Sequence, residues 1–351
     1  MSLHSSFSRR RIILRAPGER LALLIDRRLL ITCSALFALA AAIMIAALVS
    51  GQMHVPVLDV LNVMTGGGER RVRMVVLDWR MPRAAGAAIL GALLGLGGAV
   101  FQSVTRNPLG SPDIVGFDAG AYTGAILAIT FAGGSWLVLA GSAIAGGLVT
   151  ALVVYLLTWR KGIQGFQLIV VGIGISAMLT SANHWILLKS SLSTAMAAST
   201  WGMGSLAKIT GQQLSLILWL AIPVILLALM LSRPLRLMEM GDSRAKALGV
   251  PVEAARLALM ALAIVATALV TAVAGPIPFV ALASPPIAHA ITRTAGTSLA
   301  ASMATGAVLL SSADYVAQHG FAPTQLPVGV VTLCIGGTYF LWLIIREARR
   351  A

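Results

Sequence analysis

The stretch AAGAAILGALLGLGGAVFQSVT, residues 84 to 105, contains no Asp, Glu, Lys or Arg. About 20 largely apolar residues suffice to cross the hydrocarbon core of a bilayer, where no water can satisfy exposed backbone groups. Gly91, Gly95, Gly97 and Gly98 recur inside the stretch, and such small residues let two helix backbones approach closely within a membrane. The stretch therefore predicts a membrane helix with a tightly packed face.

The composition of the whole chain agrees with this stretch. Of the 351 residues 58% are hydrophobic and only 11% are charged, less than half of the roughly 25% charged residues of soluble domains. A soluble fold is therefore excluded. The formal charge of +14 favours anionic lipid headgroups as the partner and gives no reason to expect nucleic acid binding. The two cysteines, Cys33 and Cys334, lack metal-ligand spacing, so no metal site is expected.

Gaps between charged residues predict an all-α integral membrane protein with about ten transmembrane helices. Two of the longer gaps each hold a pair of helices, because Gly133–Gly134 interrupts one and residues 275–278, with two prolines, interrupt the other. The predicted spans are 29–50, 85–104, 114–132, 136–158, 166–188, 213–232, 257–274, 280–293, 297–318 and 326–345.

The distribution of basic residues predicts the orientation. Of the 26 Lys and Arg, 19 fall on the side of the termini and seven on the other side. Because cytoplasmic loops carry the excess of Lys and Arg, both termini are expected in the cytoplasm. We expect a basic cytoplasmic tail over 1–28, one transmembrane domain over 29–346 with a cytoplasmic loop at 233–256, and a short cytoplasmic tail over 347–351.

Two other functional classes remain open on the residues alone. Asp314 stands alone inside a predicted span, as a residue of an ion-coupled secondary transporter could, although an interhelical hydrogen-bonding role explains it better. Ser111 and Ser205 follow glycines, as the nucleophile of an intramembrane hydrolase could, although one Gly-Ser pair is common. Neither a phosphate-binding loop nor a pair of histidines at metal-ligand spacing occurs in the sequence, so no catalytic residue and no bound cofactor is expected.

The cytoplasmic loop RPLRLMEMGDSRAKALGVPVEAAR, residues 233 to 256, carries helix start and stop signals. Asp242 or Ser243 can act as the N-cap of a short helix over residues 244–248, and Gly249 can adopt the left-handed conformation that ends it. A short protruding helix is therefore predicted between two spans. The alternative is a solvated basic loop that only follows the topology rule.

Two arginines precede the stretch 84–105, and a rigid turn follows it. Arg80 and Arg83 flank Pro82 at a helix start, where the helix dipole disfavours cations. Some compensating interaction is expected, with lipid headgroup anchoring as the alternative. The turn at 107–112, NPLGSP, contains two prolines and cannot continue the helix.

These segments carry a family resemblance. The chain resembles the iron-siderophore and cobalamin family of ABC importer permeases, of the same type as the vitamin B12 permease, and most closely its ferric-enterobactin branch. The resemblance covers nearly all of the chain after residue 28. Its specific motifs are RMPR at 80–83, FQSVTRNPLGSPDIVGF at 101–117, MGDSRAKALGV at 240–250, GPIPFVAL at 275–282 and QLPVGVVT at 325–332.

The resemblance implies an inner-membrane permease subunit of an ABC importer, with the ten-helix fold of that family. Its implied partners are a second permease chain, two cytoplasmic ATPase subunits that use the ATP, and a periplasmic or lipid-anchored binding protein. The implied substrate is a ferric catecholate siderophore, with another iron chelate, haem or cobalamin as alternatives. The chain itself would not be an enzyme.

The resemblance also implies roles for particular residues. Arg80 and Arg83 would meet acidic groups of the binding protein, and Asn107 and Leu109 would help to close a cytoplasmic gate. The loop at 240–250 would seat in the ATPase, through Gly241, Asp242, Ala245, Leu248 and Gly249.

The fifth span is expected to line the transport path, because it carries Gly172, Ser176 and Asn183 but no ionised group, which makes a weakly polar wall. Two departures from the family pattern stand out. Pro286 and His289 lie where the family usually has His and Arg, and Gln318 replaces an arginine that some relatives carry. Roles that depend on those family residues are not transferred to this chain.

Overall fold

The computed structural model describes residues 11–15, 22–51, 53–113, 115–132, 135–158, 165–294 and 296–348. The predicted interruption at Gly133–Gly134 and much of both predicted tails lie outside the described residues.

The described residues form fourteen α-helices, one π-helical segment and one antiparallel β-ribbon. The ribbon pairs Arg11 with Asp26 and precedes the first helix. The elements are β1 Arg11–Arg15, β2 Ala22–Asp26, α1 Arg27–Val49, α2 Val57–Met64, α3 Arg70–Arg73, the π-helical segment Met74–Arg80, α4 Met81–Thr105, α5 Phe117–Phe131, α6 Trp136–Thr158, α7 Gly165–Lys189, α8 Leu192–Gly202, α9 Gly211–Glu239, α10 Asp242–Ala247, α11 Val252–Ala274, α12 Val280–Thr292, α13 Leu299–His319 and α14 Val328–Ala348.

Each of the ten predicted spans coincides with one helix of the bundle. Seven helical runs in the described residues are long and apolar enough to cross a membrane. They comprise α1, α4 with its preceding turns, α6, α7, α9, α11 and α13. The other three predicted spans coincide with α5, α12 and α14, of which α5 and α12 have 15 and 13 residues. The all-α membrane fold is confirmed, and the count of ten crossings stays a prediction.

The segment before α4 differs from the expected loop. Residues 57–64 form α2, and α3, the π-helical segment and α4 make one continuous helical run of 36 residues. Charges mark where a helix leaves the hydrocarbon core, and they do not require the helix to end there. For the same reason α9 continues to Glu239, seven residues beyond the predicted end of its span.

α4 lies at the centre of the bundle and is largely buried. A Cβ atom at Gly91 would overlap the Gly306 carbonyl of α13, and one at Gly98 would overlap the Ala281 carbonyl of α12. Gly95 lies equally close to the backbone of Ser302. The predicted tightly packed face of α4 is therefore confirmed, and it contacts two helices from the last third of the chain.

α4 also compensates for the two prolines inside α12. Pro285 and Pro286 have no N–H, so the carbonyls of Ala281 and Leu282 lose their helical hydrogen bonds. The Gln102 side-chain amide donates to the Leu282 carbonyl at 3.0 Å, and the Ala281 carbonyl lies against Gly98. The unusual Pro286 is thus accommodated by the neighbouring helix.

We predict that Gly98→Ala destabilises the protein and that Gly141→Ala does not. A methyl group at Gly98 must displace the Ala281 backbone, and overpacking of this kind costs about 1–3 kcal/mol. Nothing lies within 4 Å of a Cβ at Gly141, where alanine is the better helix former by about 0.5–1 kcal/mol. Thermal unfolding of both variants in detergent measures the difference, and equal melting temperatures would contradict it.

Candidate functional site

Apart from three α7 residues expected along the transport path, the functional residues expected from the sequence lie at the two ends of α4. We call these the Arg83 end and the Arg106 end of the bundle. The Arg83 end also contains the last turns of α13 and the segment before α14, because Arg83 contacts Asp314 and Gln325. The Arg106 end contains α10, whose Asp242 contacts Arg106. α1 begins at this same end, since Arg28 donates to the Ile291 carbonyl of α12 at 3.1 Å and the next residue, Thr292, lines a cavity together with Arg106.

At the Arg83 end, Arg83 forms a buried ion pair with Asp314. Its Nη2 and Nε donate to Asp314 Oδ1 at 2.9 and 3.1 Å. Gln318 donates to Asp314 Oδ2 at 2.7 Å, and Gln325 accepts from Arg83 Nη1 at 2.9 Å. The Asp314 side chain is only 3% exposed, so the arginine supplies the charge partner that a buried carboxylate requires.

Arg80 binds the carboxyl-terminal end of α1. Its guanidinium donates to the Leu48 carbonyl at 2.7 Å and to the Met53 carbonyl in the following loop. The last carbonyls of a helix lack helical partners and carry its negative partial charge, so they favour a cation. The sequence predicted that some interaction compensates for two cations at a helix start. Carbonyls at the end of α1 bind Arg80 and Asp314 binds Arg83, so both compensating partners lie within this chain.

A cavity of about 510 Å³ opens beside these two arginines. Arg71, Arg80 and Arg83 line it together with the exposed side chain of Trp79. Arg71 is exposed, whereas Arg80 and Arg83 are half-buried. The Arg83 end therefore presents a basic, partly aromatic concave surface, on which Arg71 is the most accessible of these cations.

The turn after α4 at the Arg106 end is held by local hydrogen bonds. Arg106 ends α4 in the left-handed conformation with φ of 51°. The Asn107 side-chain oxygen accepts from the Leu109 N–H at 2.9 Å, and the Asn107 carbonyl accepts from the Gly110 N–H. Leu109 is exposed. The predicted rigid turn is confirmed, with Asn107 as its internal brace and Leu109 at its surface.

The short helix predicted in the 233–256 loop exists as α10, with different boundaries at its start. Gly241, with φ of 110°, is the N-cap, and no side chain caps the helix. The prediction that Asp242 or Ser243 is the N-cap was wrong, because Asp242 is the first helical residue and its carboxylate binds two arginines. Gly249 has φ of 82°, so its predicted left-handed conformation is confirmed.

α10 protrudes with most of its side chains in solvent. Ser243, Arg244, Lys246 and Leu248 are exposed, while Ala245 is fully buried. Ala245 is the side chain through which α10 rests on its own bundle. The helix thus presents a basic surface, with the exposed Leu248 directly after it.

Asp242 is shared by two cations. Its Oδ1 accepts from Arg106 at 2.5 Å and its Oδ2 from Arg256 at 2.6 Å. Partial burial alone would raise the pKa of Asp242, but Arg256 and then Arg106 outweigh that effect and lower it below the ordinary value. The stability these pairs contribute is therefore complete above the unfolded-state pKa of about 3.9 and is lost as pH falls through the lower folded-state value.

The three α7 residues expected along the transport path, Gly172, Ser176 and Asn183, lie on one face of the helix. Gly172 and Asn183 are buried, and Ser176 is half-buried. The Asn183 amide donates to the Ala119 carbonyl of α5 at 3.2 Å, and a Cβ at Gly172 would overlap Val115. This face packs against a neighbouring segment of the same chain.

Asp314 and the two serines bear on the alternative functions. Asp314 does not stand alone as the sequence suggested, since it pairs with Arg83. Ser205 Oγ accepts from the Ala207 N–H, and Ser111 is fully buried. In the described part of the chain, neither serine hydroxyl bonds to a histidine.

Comparison with known proteins identifies the family. The model of the FecCD transport family matches residues 38–346. The chain belongs to the FecCD transport family. Its members are membrane permease subunits of ABC importers, so this chain is a transport subunit, and hydrolysis of ATP takes place on a partner.

Two relatives match this chain over nearly their whole length. The ferric enterobactin transport system permease protein FepG of Escherichia coli is 47% identical over 93% of this chain and 99% of its own. The iron(3+)-hydroxamate import system permease protein FhuG of Bacillus subtilis is 32% identical over 90% of this chain and 97% of its own.

A solved ABC transporter structure has the same fold. A metal-chelate type ABC transporter in an inward-facing conformation matches with a TM-score of 0.77 and 25% identity, over 90% of this chain and 98% of that chain. The membrane permease fold predicted from the sequence is confirmed, as is a multi-pass location in the membrane.

We predict that the Arg83–Asp314 pair stabilises the bundle as a unit. Asp314→Asn or Arg83→Gln leaves one buried charge without its partner, and such a loss costs about 3–5 kcal/mol. The double variant should lose less than the sum of the two single variants, because the groups interact directly. Unfolding of the three variants in detergent measures this coupling, and strictly additive losses would contradict it.

Proposed function

We propose that this FecCD permease imports a ferric catecholate siderophore of the enterobactin type. The observation that carries the proposal is the 47% identity to FepG, which extends over almost the entire length of both chains. The hydroxamate permease is 32% identical. Import of another iron chelate, of haem or of cobalamin is the alternative.

Deletion of this gene in its own host tests the substrate. We expect uptake of radioactive iron to be lost when it is supplied as ferric enterobactin, and to persist when it is supplied as ferric citrate or haem. Cobalamin uptake should also persist. Wild-type enterobactin uptake by the deletion strain, with loss of one of the other substrates, would assign the permease to that substrate.

The proposed assembly contains four further chains. They are a second, different FecCD permease, two cytoplasmic ATPase subunits that use the ATP, and a periplasmic or lipid-anchored binding protein. The basic, exposed α10 and the basic cavity at the opposite end of α4 support separate inner and outer partners.

Mild detergent extraction should recover a second permease chain, and recovery of this chain alone would contradict the heteromer.

The proposed orientation places the Arg106 end in the cytoplasm of a bacterial cell. The excess of Lys and Arg supports it, as does the position of α1, which begins at the same end as α10. The domains retain the predicted limits, with a basic cytoplasmic tail over 1–28, the permease domain over 29–346 and a cytoplasmic tail over 347–351. The Arg83 end then faces the binding protein.

We propose that the cavity at the Arg83 end docks acidic groups of the binding protein. Arg80 is held by neutral carbonyls of the bundle and contributes positive potential from a fixed position, whereas the charge of Arg83 is balanced by Asp314, so Arg83 would act mainly through its remaining N–H groups. Arg71 is exposed on the rim and can meet a carboxylate directly. Charges at a rim act mainly on the rate of association and are screened by salt.

We predict that Arg71→Glu slows association of the binding protein at low salt by about tenfold, because rim charges steer encounter. At 1 M salt the difference from wild type should vanish, since the screening length falls to about 3 Å. Surface plasmon resonance on the permease in nanodiscs measures the rates. Lys189→Glu is the matched control, because Lys189 is an exposed outer cation that does not line the cavity, and an equal effect of both changes would contradict a specific role for the cavity.

The gate and the path are proposed at the turn after α4 and along α7. Asn107 braces the turn and Leu109 is exposed on it, so Leu109 can close against the second permease. Gly172, Ser176 and Asn183 keep α7 close to α5, so they would shape the path by positioning α7.

Leu109→Ala should raise substrate leak without ATP in proteoliposomes, and an unchanged leak would remove Leu109 from the gate.

We propose that α10 docks into the ATPase. Its start at Gly241 and Asp242 and its end at Gly249 fix its direction, Ala245 seats it on the bundle, and Leu248 is exposed for contact. A short helix held at both ends can transmit force that a flexible loop cannot.

We predict that Gly249→Val reduces ATPase co-purification and transport, whereas Gly249→Asn does not. A β-branched residue at φ of 82° is strained by about 1–3 kcal/mol, while asparagine tolerates this conformation. Co-purification of the ATPase and uptake in cells measure the effect. Normal values for the valine variant would show that the end of α10 does not take part in docking.

A further inference from the structure

The end of α4 is joined to the segment before α10 by three polar contacts. Ser103 Oγ donates to Glu239 Oε1 at 2.7 Å. Arg106 Nη2 donates to the Met238 carbonyl at 2.9 Å and to Asp242 Oδ1 at 2.5 Å. We call these five residues the junction cluster. Its acceptors all lie within residues 238–242, at the end of α9 and the start of α10.

The two carboxylates of the junction cluster also bind two other helices. Glu239 accepts from the Thr297 N–H at the start of α13 at 3.2 Å. Asp242 Oδ2 accepts from Arg256 of α11, whose side chain is 7% exposed. Because Arg256 is buried and fixed, Asp242 is held from the bundle side as well. The base of α10 is therefore tied to α4, α11 and α13 at once.

Arg106 connects this cluster to the gate turn through its backbone. Arg106 is the C-cap of α4, with a left-handed φ of 51°, and Asn107 follows it directly. A non-glycine residue in this left-handed region is held there by its surroundings. The turn itself is braced by Asn107 and restricted by Pro108. A displacement of the Arg106 side chain therefore reaches Leu109 through a short, stiff segment.

We propose that Arg106 is a positioning residue that transmits movement of α10 to the gate turn. The proposal rests on the proposed function, since it assumes that α10 receives the movement of an ATPase. Asp242 passes the displacement of α10 to the guanidinium of Arg106, and Ser103 with Glu239 keeps the end of α4 aligned with α9. The junction cluster would thus couple ATP use by the ATPase to opening of the gate.

A purely structural role for Arg106 predicts a different result. Exposed ion pairs contribute little to stability, and the Arg106 side chain is 49% exposed. Loss of such a pair would lower stability slightly and would leave the number of substrate molecules moved per ATP unchanged. The number of substrate molecules moved per ATP therefore distinguishes transmission of movement from structural support, whereas stability and total uptake do not.

The experiment compares Arg106→Gln with Arg293→Gln in the complete transporter reconstituted in liposomes. Arg293 is a matched control, because it also ends a helix with φ of 50° and no ion pair involves it among the described residues. Ferric enterobactin is supplied with the binding protein, and uptake and ATP hydrolysis are measured together. We expect Arg106→Gln to lower uptake per ATP by about fivefold or more, because a neutral amide cannot replace the charge-assisted bond to Asp242. Arg293→Gln should keep the wild-type ratio.

A wild-type ratio for Arg106→Gln, or an equal fall for both variants, would overturn the proposal. If Arg106→Gln does not assemble with the ATPase, Ser103→Ala decides, since it removes only the hydroxyl that binds Glu239. A fall of about twofold in its uptake per ATP supports the junction cluster, and an unchanged ratio overturns it. Absence of ferric enterobactin uptake by the wild-type transporter would instead contradict the proposed function.

Discussion

The close contact between α4 and α13 is the constraint on which the rest of the bundle depends. Gly91 of α4 lies against Gly306 of α13, with no room for a Cβ on either residue. In lipid the hydrophobic effect does not hold helices together, so such backbone approach and the dispersion contacts it permits are a main source of association. The contact also sets the antiparallel register, and both ends of α4 follow from that register.

The register places a polar cluster at each end of α4. Arg83 meets Asp314 at one end, and Ser103 reaches Glu239, which binds the start of α13, at the other. Twenty helical residues separate Arg83 from Ser103, which corresponds to about 30 Å at 1.5 Å per residue. One helix therefore connects the basic cavity with the segment that carries α10. This arrangement suits a subunit that receives a binding protein on one side of the membrane and force on the other.

The sequence predicted the spans and the end of α10 but not the partners of its charged residues. Charge-free runs indicate which segments lie within the hydrocarbon core, and Gly249 indicates a local backbone conformation, so both can be inferred from residues close together in the sequence. The Arg83–Asp314 pair joins residues 231 apart, and only tertiary packing brings them together. Asp242 was predicted as an N-cap because its local context suits one, yet two arginines outside α10 bind its carboxylate.

The central claim is that the base of α10 and the turn after α4 move together when ATP is used, because Arg106 joins them. Cryo-electron microscopy of the complete transporter, with and without bound nucleotide, measures this movement most directly. We expect the α4–α13 contact and the Arg106–Asp242 pair to be retained in both states, with the turn carrying Leu109 displaced together with α10. Displacement of α10 with a broken Arg106–Asp242 pair and a stationary gate turn would contradict the claim.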